Sequence, residues 1–192
     1  MGANEVGIVL GDPAKFAGET EHSQQVALFA AVAQYVASFK ASEYVGLVRL
    51  GDRLDMLHAI PNGGKRGNDK RSAMIAGANM KAEGQKPGVS DLFLPVAARG
   101  YHGFYIEMKA PGAGKWVKKR TGTGVALGIG EAGAIGERVW VSGESDVQIE
   151  WGKAVTREGY LYAVFHSWWA AFRALMWYLG FEHTKAWVLP LE

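Results

Sequence analysis

Two short apolar segments with a turn between them constrain the fold of this chain most strongly. Residues 91–96 and 103–109 are rich in strand-forming side chains, and the turn between them contains glycine, so the two segments are predicted to pair as an antiparallel hairpin. Side chains of a strand point alternately to opposite faces, which puts Glu107 and Lys109 on one face. The hairpin then brings Asp91 opposite the region of these two residues. Its open end is therefore predicted to carry three charged groups.

The rest of the chain alternates helical and strand-like patterns. Apolar residues recur at three- and four-residue steps over residues 19–39, in a stripe that includes Val26 and Phe29, which predicts a helix. The segment 47–55 fits either a helix or a strand. The order α, β, α, β, β, insertion, α, β, α predicts an α/β (α+β) fold in a single domain, residues 1–192. Further helices are predicted over 69–83, 145–158 and 167–178, and further strands over 56–60, 160–165 and 186–191.

A glycine-rich segment, residues 112–143, interrupts this order and is predicted to form loops or a small β-excursion. Basic residues cluster around Trp116, a combination that favours contact with nucleic acid, although a solvated loop explains it nearly as well. The pattern G-x-G-x-x-G occurs at 128–133, but it lacks the preceding strand and following helix of a dinucleotide site. A flap over DNA, or an arm exchanged between subunits, fits the segment better. The basic residues are Lys115, Lys118, Lys119 and Arg120.

Composition excludes several kinds of site. The chain has no cysteine, which rules out disulfides, thiolate zinc sites and a cysteine nucleophile. The net charge is only +2, so a nucleic-acid site would have to come from local clusters of charge. The N-terminus lacks a signal-peptide pattern, and no apolar run reaches the ~18 residues of a membrane span. We therefore expect a cytoplasmic protein that does not cross a membrane.

The charges at the open end of the hairpin have two explanations. The simpler is a cross-strand ion pair in which Lys109 neutralises Asp91 or Glu107. Two close carboxylates repel each other, however, and one ammonium does not fully compensate both in a half-buried position. A divalent cation does, because Mg²⁺ is typically held by one or two carboxylates together with water and phosphate oxygens. Lys109 would then be available to orient a water or stabilise negative charge.

The order of these residues resembles a known family. Asp91, followed by Glu-Met-Lys at 107–109 on the next strand, resembles the core of the PD-(D/E)xK nucleases, with Ser90 where many members have proline. The wider context is similar to the VRR-NUC family (virus-type replication-repair nucleases) over residues 19–179, apart from the glycine-rich segment. The other motifs are Glu21 and Gln25 in the first helix, residues 60–66, Gly84 with residues 87–92, Gln148, and Gly159-Tyr160.

The resemblance implies a fold, a cofactor and a set of roles. The fold would be a restriction-endonuclease-like core, a central mixed sheet flanked by helices, and the activity would be phosphodiester hydrolysis dependent on Mg²⁺ or Mn²⁺. Asp91 and Glu107 would be metal ligands, together with the backbone carbonyl of Met108. Lys109 would position or activate the attacking water. Glu21 would complete the acidic site, directly or through a metal-bound water.

Two glutamines and two basic segments would support this site. Gln25 would help to orient Glu21, and Gln148 would support the site or contact a phosphate, although both also fit ordinary helix surface. In the turn at residues 61–66, glycine amides are followed by basic side chains, which suits a phosphate contact. The same turn also fits an ordinary solvated loop. His58 and His102 are interpreted as structural or surface residues. The predicted DNA-binding residues are Asn62, Gly63, Gly64, Lys65, Arg66, Lys115, Lys118, Lys119 and Arg120.

The resemblance also implies a substrate and an assembly. It points to a structure-selective DNA endonuclease of DNA repair that acts as a homodimer on branched DNA, such as four-way (Holliday) junctions or flaps. If the protein is encoded by a virus or phage, it would work in the host cytoplasm. The alternative is a DNA-binding module without catalysis. The presence of all three of Asp91, Glu107 and Lys109 argues against it. An enzyme using a nucleotide cofactor on the glycine motif is a third hypothesis.

Overall fold

The computed structural model describes residues 18, 20–61, 70–118 and 138–181. Along these residues the helices and strands follow in an order close to the predicted one. In chain order they are α1 (Glu21–Lys40), α2 (Val45–Leu54), β1 (His58–Ala59), α3 (Lys70–Ala82), β2 (Leu92–Leu94), β3 (Phe104–Met108), β4 (Lys115–Lys118), β5 (Arg138–Val141), α4 (Asp146–Arg157), β6 (Leu161–Phe165) and α5 (Trp168–Tyr178).

A four-stranded mixed sheet forms the centre, with strand order β1-β2-β3-β6. β1 pairs antiparallel with β2, β2 pairs antiparallel with β3, and β3 pairs parallel with β6. Because parallel neighbours need a crossover, the chain passes through the β4–β5 hairpin and α4 before it returns as β6. The α+β class and the mixed sheet with flanking helices, both predicted from the sequence, are confirmed.

One face of the sheet holds the main core. Phe104, Ile106 and Met108 of β3 are fully buried on this face, and α1 and α5 contact the sheet there. Burying such side chains contributes about 1.5–3 kcal/mol each relative to exposure. The alternation predicted for this strand is therefore observed, and it leaves Glu107 to the opposite face.

The buried stripe of α1 differs in part from the predicted one. Val26 is 39% exposed and Phe29 is only partly buried, whereas Gln24, Ala27 and Ala31 are buried. Small side chains such as these alanines let a helix approach its neighbours closely, and the approach sets which stripe faces inward. The inward face also carries Gln24, whose contacts at the start of α1 are described with the site below.

Predictions for three further segments can be compared with the structure. The segment 47–55, which fitted a helix or a strand, falls largely in α2, and α2 packs on α1 through Leu50 and Leu54. The insertion contains the antiparallel pair β4–β5, which is the β-excursion predicted as one alternative. The predicted strand at 186–191 lies outside the described residues.

The opposite face of the sheet is covered by α4. Trp151 of this helix contacts Tyr105 edge-on, with ring centroids 5.9 Å apart. The helix backbone approaches the sheet closely at Gly152, where an added Cβ would lie 2.6 Å from a ring carbon of Tyr162. This packing places the N-terminal turn of α4 beside the end of β3. Among the helices of the described segments, none combines the length and apolar character needed to cross a bilayer.

Candidate active site

Asp91 lies beside β3, as the predicted hairpin requires. It directly precedes β2, and the pairing of Leu92 with Ile106 continues to a position opposite Glu107. Its carboxylate oxygen Oδ2 accepts a hydrogen bond from the backbone N–H of Met108 at 2.9 Å. The hydrogen bond fixes the carboxylate at the open end of the hairpin.

Glu107, Lys109 and Gln148 form a buried hydrogen-bonded group next to Asp91. The Lys109 ammonium lies 2.7 Å from Oε1 of Glu107, and Glu107 is fully buried. The Gln148 side chain joins both, since its Nε2 donates to Glu107 Oε1 and its Oε1 accepts from Lys109 Nζ at 3.3 Å. Three of the residues predicted for the site are therefore in direct contact, although they come from two distant parts of the chain.

The first turn of α4 holds Gln148 in this position. Ser145 caps the helix, and its backbone N–H donates to Gln148 Oε1 at 2.9 Å, which completes a capping box. The loop before Asp91 packs against the same turn. Gly88 has a φ of +83°, and a Cβ there would lie only 2.5 Å from the backbone oxygen of Val147. Gly88 thus brings the loop that carries Asp91 onto the turn that carries Gln148.

Replacing Gly88 by alanine is expected to destabilise the protein and weaken the site together. The left-handed backbone disfavours a side chain by about 1–2 kcal/mol, and the contact with Val147 adds about 1–3 kcal/mol of overpacking. Gly84→Ala is the matched control, because Gly84 has a φ of +91° but open space around it. Urea unfolding of both variants measures the difference. Equal losses of stability in the two variants would contradict the close packing at Gly88.

Glu21 reaches the site from the start of α1. It is half-buried, and burial raises its pKa, as does the charge of Asp91, while Lys109 opposes the rise. The neighbouring Gln24, which the sequence did not single out, ties this helix end to α5. Its Nε2 donates to the carbonyl of Gly18 at 2.7 Å, and its Oε1 accepts from the backbone N–H of Trp168 at 2.9 Å.

Gln25 had been chosen from the sequence instead of Gln24. It is half-buried one turn after Glu21, and among the described residues none forms a hydrogen bond with its side chain. Gln24 lies one turn before the buried Ala27 and Leu28, but the sequence alone does not show which stripe of α1 packs inward. The role predicted for Gln25 stays a prediction.

The electrostatics of the site are dominated by negative charge. Burial, followed by the charges of Asp91 and Glu21, raises the pKa of Glu107 to about 8 against the lowering effect of Lys109. Burial alone would lower the pKa of Lys109, but its hydrogen bond to Glu107 and the three nearby carboxylates raise it overall. These effects favour the charged form of Lys109 and, without a second positive partner, the protonated form of Glu107.

The residues fit a hard divalent cation in their chemistry. Glu107 Oε2 is buried, and it has no hydrogen-bond partner in the described part of the chain. A buried carboxylate oxygen without a partner is costly, and a cation would satisfy it. Within the described segments, no three His, Cys, Asp or Glu side chains are grouped as a metal site. A cation here would therefore rely on two carboxylates, Asp91 and Glu107, with backbone and water oxygens, which suffices for Mg²⁺.

The remaining predicted residues lie apart from this group or outside the described residues. The turn Asn62, Gly63, Gly64, Lys65 and Arg66, the residues Lys119 and Arg120, and the glycine pattern at 128–133 all fall outside. Lys115 and Lys118 begin and end β4, which pairs with β5 in a two-stranded sheet separate from the central one. His58 and His102 are exposed and contact aromatic rings, which is compatible with the structural or surface role predicted for them.

The comparisons with known proteins include a likeness of structure. No family model and no curated protein matches the sequence. A solved structure described as a "VRR_NUC domain protein" superimposes with a TM-score of 0.47 and 19% sequence identity, covering 86% of this chain and 92% of that one. The chain is thus similar in structure to a protein whose description names the VRR-NUC family, the family that its sequence motifs resemble.

Proposed function

We propose that this chain is a metal-dependent nuclease that hydrolyses phosphodiester bonds in DNA. The observation that supports this most directly is the buried contact of Glu107, Lys109 and Gln148 with Asp91 beside them. These four residues match the motif that the sequence shares with VRR-NUC nucleases. A purely structural ion pair would not leave a buried carboxylate oxygen of Glu107 without a partner among the described residues.

Asp91 and Glu107 would hold Mg²⁺ or Mn²⁺, with the carbonyl of Met108 as a third ligand. Glu21 would contribute directly or through a water. Such a cation, when bound, polarises a phosphate oxygen and lowers the pKa of bound water. The chain's own part is to keep two carboxylates close together in a mostly buried place. One ammonium does not fully compensate their mutual repulsion, whereas a divalent cation would.

Lys109 would act as a donor and a fixed positive charge. Two acceptors, Glu107 Oε1 and Gln148 Oε1, hold its ammonium. An ammonium has three N–H donors, so one is left for an attacking water or for a phosphate oxygen. Because the carboxylates keep its pKa raised, Lys109 would orient the nucleophile and stabilise developing negative charge, and would not itself accept the proton.

The substrate proposed is branched DNA, such as four-way junctions or flaps, cut by a homodimer. A two-fold assembly would present two sites for two strands. The predicted phosphate contacts are the turn at 62–66 and the basic cluster of Lys115, Lys118, Lys119 and Arg120, which would make binding dependent on salt. This finer part of the proposal is supported by the family resemblance and by the local clusters of positive charge.

A cleavage panel tests the proposal. Purified protein is incubated with labelled four-way junction, flap and linear duplex DNA in the presence of Mg²⁺, Mn²⁺ or EDTA. We expect cleavage of the branched substrates with either metal and none with EDTA. Binding that depends steeply on salt, with no cleavage by the folded protein in any metal, would favour the non-catalytic alternative. Equal cleavage of linear duplex would remove the selectivity for branches.

A further inference from the structure

A second hydrogen-bonded group lies on the same face of the sheet as Glu107. Tyr162 of β6 pairs with Tyr105, so its side chain points to the α4 side. The Tyr162 hydroxyl donates to Oε1 of Glu144, and the Ser142 hydroxyl donates to the other oxygen, Oε2, of the same carboxylate. Neither Glu144 nor Tyr162 belongs to the motif described above.

Glu144 is placed at the junction of the β4–β5 hairpin and α4. It follows the end of β5 by three residues and directly precedes Ser145, the N-cap of α4. The base of the hairpin is held from a second side, because a ring nitrogen of His166 lies 2.8 Å from the carbonyl oxygen of Ser142. One carboxylate therefore joins the base of the hairpin, the sheet and the start of α4.

The Tyr162 ring is confined where this junction meets the sheet. Gly152 of α4 leaves no room for a side chain above the ring. Burial raises the pKa of Tyr162, and the Glu144 hydrogen bond and the charges of Glu107 and Asp91 raise it further. The phenol therefore keeps its proton and is a constant donor to Glu144.

We propose that Glu144 and Tyr162 are positioning residues that hold the first turn of α4, so that Gln148 stays in contact with Glu107 and Lys109. The step from Glu144 to Gln148 is short, because the N–H of the adjacent Ser145 donates to Gln148 Oε1. Loss of the hydrogen bonds from Tyr162 and Ser142 to Glu144 would free the capping turn. Gln148 would then lose the orientation in which it donates to Glu107. The inference rests on the proposed nuclease function.

The chain offers a matched control for a tyrosine hydroxyl. Tyr178 is fully buried, and its hydroxyl donates to the carbonyl of Val96 at 2.7 Å. It packs against Phe104, on the face of the sheet opposite the site. Tyr178→Phe removes one buried hydrogen bond, as Tyr162→Phe does, but leaves α4 untouched. The pair separates a positioning role from a general loss of stability.

The test compares Tyr162→Phe, Glu144→Ala, Glu144→Gln and Tyr178→Phe in the full chain. Two readouts are measured, the kcat and KM of cleavage and the affinity for Mn²⁺ by electron paramagnetic resonance. We expect Tyr162→Phe and Glu144→Ala to lower kcat and weaken Mn²⁺ binding by about tenfold, as for supporting residues of metal sites, with an unchanged KM for DNA. Glu144→Gln should retain most activity, because an amide can accept from Tyr162 and donate to Ser142. Tyr178→Phe should change neither readout.

The outcomes separate the two proposals. If the unmodified protein cleaves DNA and Tyr162→Phe and Glu144→Ala match it in kcat and Mn²⁺ affinity, the positioning role is wrong and the nuclease function stands. Equal losses in Tyr162→Phe and Tyr178→Phe would also overturn the positioning role. If the unmodified protein binds Mn²⁺ but does not cleave, the nuclease function fails and Mn²⁺ affinity decides the positioning role. If the unmodified protein neither binds Mn²⁺ nor cleaves DNA, both proposals are wrong.

Discussion

Cleavage that depends on Mg²⁺ is expected to fall by about 10²–10³-fold when Asp91 is replaced by asparagine. The amide oxygen of asparagine can still accept the hydrogen bond that the backbone N–H of Met108 donates to Asp91 Oδ2. The hairpin should therefore keep its geometry. What is lost is the negative charge that, together with Glu107, would hold the cation. The measurement is kcat/KM on a four-way junction during a Mg²⁺ titration, with the melting temperature of each protein.

Asp55→Asn is the matched control for this substitution. Asp55 is exposed and pairs with Lys40 at 2.6 Å, at the end of α2. It should leave cleavage unchanged, because exposed ion pairs contribute only about 0–1 kcal/mol and lie away from the site. If Asp91→Asn cleaved as fast as the Asp55→Asn control, Asp91 would not be a metal ligand. If Asp91→Asn did not fold, the charge of Asp91 would be needed for folding itself, because asparagine keeps the acceptor for the Met108 N–H.

The second large effect concerns stability and pH at Glu107. Folding raises the pKa of this carboxyl from 4.5 to about 8, chiefly by burial and by the charge of Asp91. The folded state therefore binds the proton more tightly than the unfolded state does. The free energy of unfolding of the metal-free protein should then fall as pH rises from about 4.5 to about 8, where the unfolded chain has lost the proton and the folded chain still holds it.

Replacing Glu107 by glutamine should remove this loss. Glutamine resembles the protonated carboxyl and stays neutral, so its advantage over Glu107 should be small near pH 5 and reach a few kcal/mol, as an order of magnitude, near pH 9. Urea unfolding at both pH values in EDTA measures it. Glu83→Gln, at an exposed position after α3, is the control and should show no such change with pH.

Metal addition provides an internal check on the same variant. Mg²⁺ should stabilise the unmodified protein near neutral pH, because it would satisfy the ionised Glu107, and should stabilise Glu107→Gln much less. An advantage of Glu107→Gln that stayed constant from about pH 5 to about pH 9 would contradict the raised pKa. Equal stabilisation of both proteins by Mg²⁺ would mean that the cation binds elsewhere.

Local sequence was enough to predict the hairpin half of the site. The alternation of side chains along a strand is strict, so Phe104, Ile106 and Met108 turned to the core together and left Glu107 on the other face. The turn then limited which residues Asp91 could approach. The prediction was right because each of these relations spans fewer than about 20 residues and depends on backbone geometry.

Relations across the fold were predicted less well. The motif resemblance indicated Gln148, but Glu144 and Tyr162 have no spacing in the sequence that connects them to Glu107. They meet only because β6 pairs parallel with β3 and α4 lies across both. The choice of Gln25 over Gln24 had a similar origin, since the inward face of α1 is set by its packing against α2 and α5.

The sequence by itself determined the hairpin, the face that carries Glu107 and Lys109, the positions of most helices, and the approach of Asp91. These follow from backbone periodicity and short turns, which act within a segment. Only the tertiary structure decided that Glu107 is fully buried, that Gln148 completes its hydrogen bonds, and that Gln24 faces inward from α1. Burial and electrostatic coupling depend on segments far apart in the chain coming into contact. For that reason the raised pKa of Glu107 and the partners of Lys109 could be identified only in the folded protein.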